Sequence, residues 1–216
     1  MLYTRKGDNG TTKTFGCDQR ISKSSAIAEA LGSMDEINSF LGLVKVKAAT
    51  LKVAFTLDTG EIKLAETIDR IQQDLFIIQA ELAGADKTIV EEKVKWLEEI
   101  IDGIEKMLPP IKTFFVSGGT ELASLCDIAR TIARRAERRV VGVAEEQKNR
   151  IATPENQNQN HHPVSDYRDT PPPQGGEKSV NPQTLAYLNR LSSVLYAFAR
   201  ASNHVAGIVE EAPRYE

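Results

Sequence analysis

An arginine-rich stretch has the clearest chemical character in this chain. Residues 130 to 139 read R-T-I-A-R-R-A-E-R-R, which places five arginines and one glutamate within about three helical turns. The guanidinium group is a planar fork of donors that can hold phosphate or carboxylate through two hydrogen bonds at once, whereas lysine offers a point charge. The repeated choice of arginine therefore favours recognition of an anion.

On a helix, the charged residues of this stretch share one face. Asp127, Arg130, Arg134 and Glu137 are spaced by 3, 4 and 3 residues, so that they lie on the same side. A surface helix held by salt bridges has a similar pattern, and the stretch alone leaves both interpretations open. A separate apolar stripe consists of Leu122, Leu125, Ala129, Ile132 and Ala136.

The N-terminal segment is a second candidate for anion binding. Residues 3 to 16 read Y-T-R-K-G-D-N-G-T-T-K-T-F-G. Glycines let the backbone turn its N–H groups toward an anion, hydroxyls donate further hydrogen bonds, and Arg5, Lys6 and Lys13 offset negative charge. The segment suits a polyphosphate, although it matches neither a Walker A loop nor a dinucleotide-binding turn. The alternative is a simple hairpin turn at Asn9-Gly10.

Apolar residues recur at helical spacing in five segments. These segments must position the arginine-rich stretch and the N-terminal loop. The last segment opens with Asn181 as the predicted N-cap and Pro182 in the first turn. No sustained strand alternation competes, so the sequence predicts an all-α five-helix bundle with an extended N-terminal loop. The first four predicted helices cover residues 25–48, 62–84, 90–108 and 119–147.

Composition sets limits on the class of protein. The chain has 216 residues, 26% charged and 41% hydrophobic, which fits one domain over residues 1–216. A net charge of −3 argues against a general nucleic-acid coat. No apolar run approaches the roughly 18 residues of a membrane span, and no signal peptide is recognised. Cys17 and Cys126 form no C-x-x-C pair, so we expect reduced thiols in a cytoplasmic protein that binds no membrane.

Residues 149–180 are predicted to be a mobile linker between the fourth and fifth helices. They contain runs such as D-T-P-P-P-Q-G-G and almost no apolar residues, so they bury too little surface to offset chain entropy. His161 and His162 lie within them, but a metal site would need two further ligands at fixed spacing. We therefore predict no protein metal site, and we expect His204 to be a packing or surface residue.

Six blocks follow one another along the chain: Y-T-R-K-G-D-N-G-T-T at 3–12, R-I-S-K at 20–23, G-S-M-D-E-I-N-S-F-L-G at 32–42, F-F-V-S-G-G at 114–119, A-R-T-I-A-R-R-A-E-R-R at 129–139 and Y-L-N-R-L-S at 187–192. In this order they resemble the ATP:cob(I)alamin adenosyltransferases of the propanediol-utilisation type. The resemblance implies a homotrimer of five-helix bundles with active sites between subunits. It also implies transfer of the 5′-deoxyadenosyl group of ATP to the cobalt of reduced cobalamin, with release of tripolyphosphate.

The resemblance also assigns site residues. It implies that the N-terminal loop and Lys23 hold the triphosphate, with Mg²⁺ carried by the ATP. Asp35 would pair with Arg130 across the subunit boundary, and Phe114 would stand against the corrin, although Phe115 beside it leaves the register open. The nucleotide-binding residues so implied are Thr4, Arg5, Lys6, Gly7, Asp8, Gly10, Thr11, Thr12, Lys23, Arg134, Arg135, Glu137, Arg138 and Asn189.

Two residues depart from the pattern of the family, and the last helix carries a further polar stripe. Ser117 stands where the family usually has proline, and Cys126 where histidine is common. On the last helix, Asn189, Ser193, Tyr196, Arg200 and Asn203 form a polar stripe.

Two classes of function are compatible with these features. An enzyme would serve an adenosylcobalamin-dependent mutase or dehydratase and receive its substrate with the help of a cobalamin reductase. The alternative is a non-catalytic protein that binds or delivers cobalamin or a nucleotide. Loss of the cations at positions 5, 6, 23 or 134 would favour delivery, and all four are present.

Overall fold

Five long helices form the framework of the chain. The computed structural model describes residues 3–14, 20–152 and 179–215. Two short antiparallel hairpins accompany the helices, β1 (Thr11–Lys13) with β2 (Arg20–Ser22) and β3 (Ala54–Leu57) with β4 (Gly60–Lys63). The helices are α1 (Ala26–Leu51), α2 (Leu64–Leu82), α3 (Glu91–Met107), α4 (Glu121–Ala152) and α5 (Pro182–Val205).

The helices pack through their apolar stripes. Helix α4 lies against α1 on one side and α5 on the other, while α2 covers α1 and α3 covers α5. Met34, Ile37 and Leu41 of α1 are fully buried, as are Leu188 and Leu195 of α5. Each such side chain contributes about 1.5–3 kcal/mol through burial. The prediction of an all-α five-helix bundle is confirmed.

The buried face of α4 is wider than the predicted stripe. Leu125 and Ile132 are only partly buried, whereas Cys126 and Ala133 have no exposed surface. Because α4 is covered by two helices, residues on both sides of the stripe are buried, and small side chains let the helices approach closely. Leu122, Ala129 and Ala136 are buried as predicted.

A short strand pair that the sequence did not predict connects α1 to α2. Phe55 and Leu57 of β3 are buried while Thr56 between them is exposed, which is the alternation of a half-buried strand. The Phe55 ring stacks on Phe198 of α5 at 6.3 Å between centroids. Four residues are too short a run for periodicity to separate a strand from a helix end.

The start of α5 confirms the predicted N-cap. The Asn181 side chain accepts a hydrogen bond from the Gln183 amide at 2.8 Å, and Pro182 occupies the first turn. Helix α4 continues to Ala152, so the first residues of the predicted linker are helical. At its other end Val180 is buried, and its amide donates to Gln147 at 3.0 Å. Residues 153–178, with His161 and His162, lie outside the described residues.

Candidate functional site

A cavity of about 790 Å³ opens between α4, α5 and the loop that joins α3 to α4. The loop contributes Phe114 and Phe115, and α4 contributes Arg130 and Arg134. Residues from three separate blocks of the sequence therefore meet at one place. Helix α5 and the segment after it supply Ser192, Ser193, Tyr196, Ala199, Arg200, Asn203 and Glu210.

A tight turn fixes the end of the loop against α5. Gly118 and Gly119 have φ angles of 138° and 96°, which side chains rarely adopt. The side-chain nitrogen of Asn203 donates to the Gly118 carbonyl at 2.9 Å, and its side-chain oxygen accepts from the Thr120 backbone N–H at 2.9 Å. Thr120 in turn caps α4, since its hydroxyl accepts from the Ala123 amide at 3.1 Å. The loop is thus held to the bundle at the point where α4 begins.

The two adjacent phenylalanines of the loop have different surroundings. The Arg200 guanidinium lies over the Phe115 ring at 5.1 Å from its centroid, and Phe115 is half-buried. Phe114 is 79% exposed and borders the same cavity. Phe115 is therefore the anchored ring, and Phe114 is the ring available to a ligand.

The arginines of α4 divide into two groups. Arg130 is half-buried, donates to Asp127 at 3.1 Å and lies 5.8 Å from the centre of the Tyr196 ring. Arg134 borders the cavity and has no hydrogen bond or ion pair to the part of the chain that the structure describes. Two others face α1, where Arg135 pairs with Glu36 and Arg139 lies 3.9 Å from Glu29. The salt-bridged surface interpretation thus applies to Arg135 and Arg139, and Arg134 stays available to an anion.

Glu137 and Asn189 meet beside the cavity. The Asn189 amide donates to the Glu137 carboxylate at 3.0 Å and so joins α4 to α5. Asn189 is further held by Arg190, which donates to its side-chain oxygen at 2.7 Å. Arg138 is exposed on α4.

The N-terminal loop forms a second, smaller cavity of about 470 Å³, bordered by Asn9, Gly10 and Ser22 to Ser24. The Gly10 carbonyl accepts from the Lys23 amide at 2.9 Å, and the Lys23 ammonium lies so close to Gly7 that a Cβ there would be 3.1 Å from Nζ. Asn9-Gly10 precedes β1 instead of joining two strands, so the hairpin turn expected at this dipeptide is wrong. Thr4, Arg5, Lys6 and Asp8 are exposed along the loop, while Thr11 and Thr12 lie in β1.

Arg20 organises this loop, and sequence reasoning missed it. Its guanidinium donates to the Thr11 hydroxyl at 2.6 Å, to the Thr11 carbonyl at 2.8 Å and to the Lys6 carbonyl. Arg20 is the first residue of the block R-I-S-K, from which the family resemblance assigns only Lys23 to the site. Arg20 fixes the backbone whose N–H groups would face a phosphate.

Among the described residues, the two cavities have no lining residue in common. Asp35 is exposed on α1, and Arg130, which borders the large cavity, is paired with Asp127 of its own helix. The described residues of one chain therefore do not join the N-terminal loop to the arginine face.

Comparison with known proteins decides the family. The family model described as cobalamin adenosyltransferase matches residues 2–167. The chain belongs to the cobalamin adenosyltransferase family. The resemblance of the six sequence blocks is thereby confirmed.

Relatives in this family match nearly all of the chain. The corrinoid adenosyltransferase PduO of Salmonella typhimurium is 34% identical over 97% of this chain, which spans about half (53%) of that relative. The corrinoid adenosyltransferase of Bacillus subtilis is 33% identical over 96% of this chain and 89% of its own length.

Solved structures share the fold of the family member described here. A phenylalanine-to-histidine variant of a PduO-type ATP:corrinoid adenosyltransferase from Lactobacillus reuteri, complexed with cobalamin and ATP, superposes with a TM-score of 0.74 at 28% identity. That match covers 100% of this chain and 97% of the other. An arginine-to-lysine variant from the same organism, complexed with ATP, gives a TM-score of 0.72.

Three further properties concern the Cys126 thiol, metal ions and membranes. Burial, aided by the charge of Asp127, raises the pKa of the Cys126 thiol to about 12, so the thiol stays neutral near pH 7. Among the described residues, no group of three or more His, Cys, Asp or Glu side chains is placed to hold a metal ion. None of the described helices is both long enough and apolar enough to cross a membrane.

Proposed function

We propose that this chain transfers the 5′-deoxyadenosyl group of ATP to the cobalt of cob(I)alamin. The products are adenosylcobalamin and tripolyphosphate. The observation that carries the proposal is the cavity lined by the exposed Phe114 ring together with Arg130 and Arg134 of α4, in a member of the cobalamin adenosyltransferase family. Relatives solved with both cobalamin and ATP support the same pair of substrates.

The chemistry needs no protein nucleophile. Cob(I)alamin attacks the 5′ carbon with its own electron pair, a cobalt–carbon bond forms, and the bond from that carbon to the triphosphate oxygen breaks. The protein has to align the two substrates and stabilise the charge on the departing triphosphate. Cations and backbone amides suffice for this, which agrees with a buried, neutral Cys126.

We assign the triphosphate to the N-terminal loop and the arginine face. Thr4, Arg5, Lys6, Gly7, Asp8, Gly10, Thr11, Thr12 and Lys23 would hold the phosphates, with Mg²⁺ carried by the ATP. Arg134 is the α4 cation best placed for phosphate, since no described residue occupies its donors. Arg135, Glu137, Arg138 and Asn189 would complete the nucleotide site on α4 and α5.

We assign the corrin to the loop side of the cavity. Phe114 would place an apolar ring beneath the cobalt and displace its lower axial ligand, which eases reduction to Co(I). Its exposure, next to a Phe115 held by Arg200, supports this register.

The chain is proposed to act as a cytoplasmic homotrimer with each site between two subunits. The separation of the two cavities supports this, because a neighbouring loop could complete the arginine face. Leu43, Val46 and Ile128 on α1 and α4 are 51%, 62% and 48% exposed, and they could be buried by another subunit. Asp35 would then pair with Arg130 of the adjacent chain. A mutase or dehydratase would take the product, and a cobalamin reductase would supply the substrate.

An absorbance assay tests the proposal. Purified protein is mixed with ATP, Mg²⁺ and chemically reduced cobalamin, and we expect the cob(I)alamin spectrum to give way to that of light-sensitive adenosylcobalamin. Binding of both ligands without a cobalt–carbon bond would favour the delivery protein instead.

A further inference from the structure

The segment after α5 (residues 206–215) lies along the loop that carries Phe114. The Val116 amide donates to the Glu211 carbonyl at 2.9 Å, and the Ile208 amide donates to the Asn203 carbonyl at 2.9 Å. The segment is therefore tied both to the loop and to α5. Glu210, between these ties, borders the large cavity.

Arg200 joins all three parts. Its side chain is only 5% exposed, and its Nε donates to Glu210 at 2.9 Å while Nη2 donates to the Pro109 carbonyl at 3.1 Å. The same guanidinium lies over the Phe115 ring. One buried cation thus contacts the start of the loop, its middle and the segment after α5.

Burial of a guanidinium charge such as that of Arg200 destabilises the folded state unless the charge has partners. A buried charge is stable only when it is paired and its donors are occupied, and a planar guanidinium satisfies that requirement in one geometry. Moving the loop away would leave Arg200 facing Glu210 without its carbonyl and aromatic partners. These contacts favour the observed position of the loop relative to α5.

We propose that Arg200 and Glu210 are positioning residues that hold the Phe114 loop in the geometry needed beneath the corrin. The proposal rests on the function proposed above. Neither residue needs to touch a reacting atom, since both act through Phe115 and the backbone at Pro109 and Val116. Phe114 lies next to the anchored Phe115 in the chain, so Arg200 and Glu210 determine where the Phe114 ring is placed.

The test is a double-variant comparison in two assays. Glu210→Gln keeps the shape of the side chain but removes its charge, and it is made in the wild-type chain and in the Phe114→Ala chain. One assay starts from cob(II)alamin with a reductant, and the other from chemically reduced cob(I)alamin. Glu98→Gln is the matched control. Glu98 also accepts a hydrogen bond from an arginine of α5, Arg190, at 2.8 Å, and Arg190 lies ten residues before Arg200.

We expect Glu210→Gln to lower the rate from cob(II)alamin by roughly tenfold, the effect of one charge-assisted hydrogen bond. The rate from cob(I)alamin should fall less, and the KM for ATP should stay within about twofold. In the Phe114→Ala chain, Glu210→Gln should not lower the rate from cob(II)alamin any further, because both changes remove the contribution of the same positioned ring. Glu98→Gln should match the wild type in both assays.

Three results would overturn the inference. A wild-type rate for Glu210→Gln would do so, as would losses that multiply in the double variant, or an equal loss in Glu98→Gln. If Glu210→Gln does not fold by circular dichroism, Arg200→Lys replaces it, since lysine keeps the charge but cannot reach Glu210 and Pro109 together. A wild-type chain inactive in both assays would instead overturn the proposed function, and the positioning role with it.

Discussion

Arg134 is the residue on which the nucleotide assignment depends most. It borders the cavity, it is exposed, and its donors meet no other described residue, whereas the neighbouring Arg130 and Arg135 are paired within the chain. A surface cation without a partner adds little to folding. We therefore expect Arg134 to bind a ligand and not to stabilise the fold.

We expect Arg134→Ala to lower kcat/KM for ATP by about one to two orders of magnitude, even with cob(I)alamin supplied. The reason is the loss of a charge-assisted hydrogen bond, worth roughly 1.5–3 kcal/mol. Steady-state kinetics and a thermal melt measure the two effects separately. Arg150→Ala is the control, because Arg150 lies on the same helix in a surface pair with Glu146. A melting temperature that falls along with the activity would indicate a structural role for Arg134.

At the scale of elements, the turn before α4 couples the loop to the bundle. Gly119 has a positive φ, and a Cβ there would lie 2.3 Å from the Asn203 side-chain oxygen. Asn203 could not then keep both of its hydrogen bonds to the turn. A side chain at position 119 would therefore require both a strained backbone and a shift of Asn203.

We expect Gly119→Ala to destabilise the protein by about 2 kcal/mol, from the strained backbone and the displaced Asn203. Urea unfolding followed by circular dichroism measures it. Gly142→Ala is the matched control inside α4, where nothing lies within 4 Å of the added Cβ, and it should be neutral or stabilising by up to about 1 kcal/mol. Equal midpoints for the two variants would show that the turn tolerates a side chain.

The helices could be predicted from the sequence because each has a long apolar repeat. Asn181 with Pro182 indicated the start of α5, and the repeat over residues 90–108 indicated α3, whereas α4 continues past its predicted end at 147 to Ala152. Strands β3 and β4 could not be predicted, since four residues carry too little periodicity. The partners of a side chain depend on packing between distant elements. The role of Glu210, whose ion pair bridges two elements, therefore required the structure.

At the scale of the whole molecule, the described part of one chain holds two separate cavities. The N-terminal loop and the arginine face border separate cavities, and exposed apolar residues on α1 and α4 are available for a neighbour. A site between subunits would make activity depend on assembly.

We expect Arg130→Ala to weaken the trimer and its activity together. In the proposed trimer the pair of Arg130 with Asp35 of the adjacent chain would be buried, and removing one member of such a pair leaves the other unpaired, at a cost of about 3–5 kcal/mol. Sedimentation velocity measures the assembly. Lys95→Ala is the control, since Lys95 forms an exposed pair with Glu91 on α3. An active monomer at assay concentration would contradict the shared site.

The most direct test of the central claim is the identity of the phosphate product, followed by ³¹P NMR during a single-turnover reaction of cob(I)alamin with ATP and Mg²⁺. Direct attack of cobalt on the 5′ carbon leaves the three phosphates joined. We therefore predict one tripolyphosphate for each adenosylcobalamin formed. AMP with pyrophosphate, or ADP with orthophosphate, and no cobalt–carbon bond, would contradict the account.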